Sequence, residues 1–385
     1  MAQGTWMLGM FLVLGSPLRR VEVSLKPEHL GVAWPLTVEG EAGCLVAETK
    51  GLRLVAWGQE VLQPDGRRRA IYLLPAAKEA GVQVWRFVKA SPPPSPFRFV
   101  RHPDGRLELL EGGKPVWVYN FGPQLKEGVA QQYRRADYLH PLYDLDGTVL
   151  TDDFPKDHLH HRGLFWAWPE VKVGESTYDP WACQGIHHRF EDWLAQEVGP
   201  ICAVLGVQGG WYLGERRVVR ERVWLWTYRA DEVGRILDVA LSLEAEDEPV
   251  PLRGRSPDKG YGGFTLRFAP CRDASIVTPQ GRLAQDGVHV RLPWADFSAH
   301  FRADEAFSGA ALFDHPQNPH HPAPWLLRYY GVLNPEWPAL EWATLERGKP
   351  MTLRYRVWIH RGDAQAGRVA NAFAVWADPP SVREE

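Results

Sequence analysis

The feature that most constrains this chain is a succession of long segments in which apolar and polar residues alternate. Ala203 to Trp211, Arg216 to Tyr228 and Arg235 to Glu244 follow one another, with Gly209-Gly210 and Gly214-Glu215 read as turn residues between them. A period of two sends successive side chains to opposite faces of a sheet, and such runs joined by turns read as antiparallel meanders. Phe97 to Arg101, Arg106 to Glu111 and Lys114 to Phe121 precede them; Phe264 to Phe268, Val288 to Leu292, Gly309 to Phe313 and Met351 to His360 follow. Helical spacing is confined to Ala364 to Trp376, where Asp378-Pro379-Pro380 stops it. The fold expected is all-β: a large antiparallel two-sheet sandwich with a small N-terminal β domain and a C-terminal helix.

The domain boundaries follow from the same patterns. Ser91-Pro92-Pro93-Pro94-Ser95-Pro96 cannot continue a ladder, so residues 91–96 read as a linker between a small β domain at 20–90 and the sandwich at 97–378. Residues 1–19 read as an apolar leader or a weak signal segment. Trp6 to Gly15 is too short to span a bilayer, Met1 to Thr5 carries no Lys or Arg, and no Ala-x-Ala site follows. A start codon placed too early fits equally well. No later segment is a membrane span, so a soluble protein is expected, cytoplasmic rather than exported.

Charge and cysteine content narrow the function. A formal charge of -3 writes no general attraction to nucleic acid into the chain. Cys44, Cys183, Cys202 and Cys271 are far apart, which suggests neither a zinc ribbon nor a disulfide framework. The 18 tryptophans exceed what a core requires, and an indole suits ligands with CH-rich faces and hydroxyl rims, as sugars have. Some must simply fill space between sheets.

Ionisable groups concentrate in Phe154 to Trp168. If Asp157 to His161 begins a strand, His158 and His160 share one face, and Asp157, Leu159 and His161 the other. Paired imidazoles can share a substrate, a proton or a metal ion; they can also merely close a sheet edge. Three further constellations accompany them. Lys259, Tyr261 and their neighbouring glycines approach the strand Phe264 to Phe268 without the spacing of a phosphate loop. His315, Asn318, His320, His321 and Trp325 belong to a proline-stiffened loop. Tyr138 to Tyr143, which includes His140, is placed to wall the same pocket as Asp157 to Arg162, while His187 and His188 read as surface.

Tyr138-Leu139-His140-Pro141, Asp157 to Leu164, Lys259-Gly260-Tyr261-Gly262-Gly263, and Asp314-His315-Pro316-Gln317-Asn318-Pro319 with Pro324-Trp325 occur in the order that resembles a bacterial family known under the name methane oxygenase PmoA. The match runs from Tyr138 to about Asp363, and Leu159 stands where that family more usually has proline. The family name would require hydrophobic spans, which this chain lacks. What the resemblance implies is a β-supersandwich similar to galactose mutarotase and related carbohydrate-active proteins, in a family that tends to accompany sugar oxidoreductases in bacteria that degrade glycans.

The leading expectation is an enzyme acting on a sugar by acid-base catalysis, of epimerase, mutarotase or glycoside-cleaving type. His158, His160, Asp157 and His315 are its catalytic candidates. His140, His161, Arg162, Lys259, Tyr261, Asn318 and Trp325 are its candidates for holding a small carbohydrate ligand. No cofactor is expected; in a second reading, a divalent metal is held by His158, His160 and His315 for hydrolysis or oxygenation. In a third, the protein binds carbohydrate without catalysis.

Overall fold

The computed structural model describes residues 20–49, 51–257, 259–302 and 306–384, so the leader expected at 1–19 lies outside the described residues. Among the described residues the regular structure is nearly all strand, arranged antiparallel, with one α-helix near the C-terminal end, as the alternation requires. Two nine-stranded sheets face each other. One runs in the order 287–291, 324–328, 332–335, 263–267, 164–167, 138–142, 114–120, 106–111, 97–102, and is called the site sheet below. The other, the opposing sheet, is built around the long strands Ile186–Val198, Cys202–Leu213, Arg216–Tyr228, Gly234–Ala245 and Met351–Arg361.

Alternation decides which residues lie between the sheets. In Leu164–Ala167 and the residue after it, Leu164, Trp166 and Trp168 point into the sandwich core, whereas Phe165 and Ala167 belong to a separate cluster on the outer face. Each large apolar side chain so buried contributes about 1.5–3 kcal/mol. Much of the tryptophan is therefore structural. The Trp166 and Trp211 indoles both donate to Glu221 Oε2 at 2.8 Å, and Trp117 donates to Thr227 Oγ1 at 2.9 Å. His188, read as surface, is buried 3.7 Å from Glu221.

Gly209-Gly210 is not a turn; it lies inside Cys202–Leu213, where Gly210 makes room for the Arg217 side chain, and only Gly214 turns the chain, at φ +62. The helix is Val369–Ala377, shorter than the spacing predicted. Gly367 packs where a Cβ would lie 2.2 Å from His360, and Arg368 adopts φ 49, so the helix cannot start earlier.

The small sheet has the order 34–38, 68–74, 52–62, 44–49, 81–88, 20–25, 381–384, so the chain's last strand, Ser381–Glu384, closes its edge against Arg20–Leu25. This sheet packs on the outer face of the opposing sheet through a second apolar cluster that includes Trp85, Trp224 and Trp358. Gln59 bridges the two, accepting from the Ile201 and Cys202 amides and donating to the Cys202 carbonyl. Among the described residues no helix is long and apolar enough to cross a membrane.

Candidate functional site

The histidine stretch does not begin a strand. Residues 156–160 form turns, with His158 N–H donating to Pro155 O and His161 N–H to His158 O, and the strand begins at Leu164. Pro155 and the carbonyl grip of Arg162 explain the difference. Arg162 is wholly buried; its Nη1 donates to the carbonyls of Leu159 and His161 at 2.9 and 2.7 Å, and its Nη2 to that of Tyr133. Its guanidinium also lies 3.6 Å above the Phe154 ring and forms an ion pair with Asp153. Phe154 itself has φ 53, a left-handed backbone that costs roughly 1–2 kcal/mol and is held by this packing. Gly163 joins turn to strand, where a Cβ would sit 2.4 Å from Leu139 O.

In place of the predicted alternation, the turn gathers all three imidazoles on the outer face of the site sheet. His158 and His161 stack with centroids 4.6 Å apart, and His160 meets His158 and His161 edge-on at 5.7 and 4.7 Å. His158 Nδ1 is 2.9 Å from Asp157 Oδ2, and Asp157 in turn accepts from Arg267 Nη2 at 2.9 and 3.0 Å. Burial alone would raise the Asp157 carboxyl, but His158 and Arg267 outweigh it and hold it below its usual range. An ionised Asp157 accepts the Nδ1 proton, so neutral His158 presents Nε2 as a base.

His160 and His161 are different. Burial, with Arg135 and the His158 imidazole, pushes His160 down to about 3; burial, with His160 and His158, holds His161 well below the usual histidine range. His161 Nδ1 is buried with no hydrogen-bond partner among the described residues. Both rings are therefore neutral beside a partly exposed His158. His140 is also neutral, pushed down to about 4 by burial and Arg162, with Nδ1 3.0 Å from Thr151 Oγ1.

Aromatic rings frame this cluster. Tyr330 stacks on His158 at 5.4 Å and lies under Arg267; Trp181 meets His161 at 5.5 Å, Phe165 at 5.0 Å and Tyr261 at 5.0 Å. Arg135 fixes Trp181 by donating to the carbonyls of Pro180 and Trp181. Arg255 donates to the Tyr261 hydroxyl at 3.3 Å and to Asp179 at 2.8 Å, which leaves the phenol proton available. Beyond Tyr261, Gly260 abuts a pair the sequence did not reveal: His289 Nδ1 lies 2.7 Å from Glu336 Oε2. Burial, opposed by His289, pushes Glu336 up to about 7, and its Oε1 is buried without a partner among the described residues. Trp181, Tyr330, Arg267 and Glu336 stand singly in ordinary strand or loop sequence, so only the fold brings them here.

Several expectations need correction. Arg162 is not a ligand for a developing oxyanion, because it is buried and engaged by main-chain carbonyls. Trp325 is fully buried in the sandwich core, its Nε1 donating to Leu292 O at 2.7 Å, and is no platform for a sugar. Asn318 is buried and clamps its own loop, bonding Asp314 and both backbone groups of Arg354. His315 does not cross to the imidazoles; it lies against Trp376 at 4.8 Å, in a cleft on the opposing sheet. Lys259 is exposed on the glycine-rich loop. The metal set of His158, His160 and His315 is therefore not assembled, and among the described residues no group of three or more His, Cys, Asp or Glu is placed to hold a metal ion.

Comparison with known proteins gives a family but no activity. A family described as "Family of unknown function (DUF6807)" matches residues 106–374. No curated protein matches the chain. A solved structure described as "a putative aldose 1-epimerase from Klebsiella pneumoniae subsp. pneumoniae" is similar over 94% of this chain and 97% of that one, at 12% identity and a TM-score of 0.28. A likeness of that size carries no argument about what this chain does.

Proposed function

The chain belongs to the DUF6807 family, whose function is unknown, and we propose that it is a carbohydrate-active enzyme working by acid-base catalysis at the imidazole cluster on the outer face of the site sheet. The observation that carries this reading is the Asp157–His158 pair. A carboxylate anchored by Arg267 fixes the imidazole's tautomer and turns Nε2 outward, the arrangement of a general base that becomes a general acid once protonated. His160 and His161, both neutral, add no charge to oppose that protonation and can donate to or accept from hydroxyls. Tyr330, Trp181 and Tyr261 supply flat faces with polar edges, suited to a sugar ring.

A second titrating group lies on the same face. Glu336, next to Gly260 and so one residue from Tyr261, is in the protonation range of a group that gives up or takes a proton near neutral pH. Its side chain is wholly buried and bonded to His289, so it can set the protonation of that imidazole, and the proton exchange with a sugar falls to His158. The testing experiment follows anomer interconversion, epimerisation and glycoside cleavage by NMR over a sugar panel, with wild type and His158→Ala. Turnover by wild type and at least a hundredfold loss in the variant is the expected outcome, general acid-base catalysis being worth about 10²–10⁴. A wild type that binds sugars but turns none over would make it a binding protein; an undiminished variant would move the chemistry elsewhere.

A further inference from the structure

The opposing sheet carries a separate cleft on its own outer face, with the whole sandwich core between it and the imidazoles. It is a space of about 540 Å³ between that face, the small sheet and the C-terminal helix. Strand register explains its shape. Arg222 pairs with Ser242 and Ser242 with Thr352; Trp224 pairs with Ala240 and Ala240 with Arg354. Along Gly234–Ala245 the outward residues Ala240 and Ser242 are small, so they floor a trough. Arg222, Trp224 and Trp226 rise on one side of it and Arg354 on the other.

The walls have specific chemistry. Trp224 and Trp226 stack at 6.0 Å, and Trp376 of the helix closes the end beside His315. Asp238 does not make the trough acidic, since Arg356 grips it with two bonds of 2.6 and 2.8 Å. Asp65 on the small-domain side is likewise paired with Arg69. Arg222 and the exposed Arg354 have no carboxylate within ion-pair distance among the described residues; Arg222 Nε bonds only the neutral Gln208 amide. His315 Nδ1 accepts from the Gln317 amide at 3.0 Å, so its neutral ring presents Nε2–H as a donor. Indole faces beside two guanidiniums without carboxylate partners match a ring that bears an anion.

We propose that this trough is a binding site for a carboxylate-bearing saccharide, with its sugar rings against Trp226 and Trp376 and its carboxylate on Arg354 and Arg222. It stands independently of the catalytic reading, because no residue is shared between the two faces. A non-catalytic site for uronate chains would hold an acidic glycan on the protein while chemistry proceeds on the opposite face.

The test titrates the full chain with trigalacturonate and with neutral maltotriose, by calorimetry and tryptophan fluorescence. Saturable binding of trigalacturonate alone is expected, with Arg354→Gln weakening it about tenfold or more, as loss of one charged hydrogen-bond partner does. Arg222→Gln should weaken it similarly, and the His158→Ala, His160→Ala double variant should leave it unchanged. Equal binding of maltotriose, indifference to Arg354→Gln, loss of binding in the histidine variant, or no saturable binding of trigalacturonate would each overturn the proposal. Arg354 is exposed, so its replacement does not put folding at stake.

Discussion

His158 and His161 lie face to face, with ring centroids 4.6 Å apart and planes 11° from parallel. Two charges at about 4 Å repel by roughly 4 kcal/mol even at a partly screened dielectric of about 20. The pair therefore takes one proton at most, and the buried His161 is the member that stays neutral.

This arrangement predicts how replacements combine. Asp157→Asn removes the acceptor-only carboxylate that sets the His158 tautomer, and kcat for whichever sugar is turned over should fall about 10²–10⁴-fold. His158→Ala should fall at least as far. Because the two act as one unit, the double variant should be no slower than His158→Ala alone. Additive losses in steady-state kinetics would show that Asp157 has a role apart from His158.

The cluster also makes stability depend on pH. Folding lowers His160 to about 3 and His140 to about 4, so between those values and the ordinary 6.5 the unfolded chain binds more protons than the folded one. Stability from these rings is complete above pH 6.5 and is lost as pH falls through that window, by about 1.4 kcal/mol per unit for each ring at most. Urea midpoints measured from pH 7 to 4 should drop steeply in wild type and less steeply in His160→Gln.

Glu336 gives the opposite sign. Its carboxyl is raised from 4.5 to about 7, so its contribution is complete below pH 4.5 and is lost as pH rises through 7. Glu336→Gln cannot ionise and should remove that loss. Relative to wild type, the variant's stability should rise between pH 5 and 8, by about 1–3 kcal/mol in total. A constant difference across that range would mean that Glu336 is not buried as a neutral acid.

How much of this was legible in the sequence depends on the range of the interaction. Strand class followed from alternation, which is local: Leu164, Trp166 and Trp168 separate from Phe165 and Ala167 by parity alone. The chemistry of the site was legible as residue types, since Asp157, His158, His160 and His161 are neighbours in sequence. Their geometry was not. It depends on Arg162 turning inward to grip carbonyls, and nothing in the pattern separates an inward arginine from a ligand-binding one. Trp325 failed similarly, because an indole after a proline looks the same whether it faces a core or a cleft. Glu336 and Tyr330 join the site only through the pairing of 263–267 with 332–335, and single-sequence patterns carry no register between strands so far apart.

Arg162→Lys separates positioning from substrate binding. The guanidinium makes three carbonyl bonds and faces Asp153 3.4 Å away, all from a wholly buried position. A lysine carries the same charge but lacks the planar fork, so it cannot serve the Leu159, His161 and Tyr133 carbonyls together. Leaving buried carbonyls and a carboxylate short of partners should cost about 3 kcal/mol, and the turn that collects the imidazoles should loosen. The expected result is a lower denaturation midpoint together with altered His158, His160 and His161 ring signals in NMR, whereas Lys259→Ala on the exposed loop should change stability by no more than about 0.5 kcal/mol. If Arg162 instead held a substrate anion, Arg162→Lys would raise KM while leaving the midpoint and the imidazole signals where they are. The geometry favours the first outcome, because both Nη atoms of Arg162 are taken by main-chain carbonyls and the side chain is closed off from solvent.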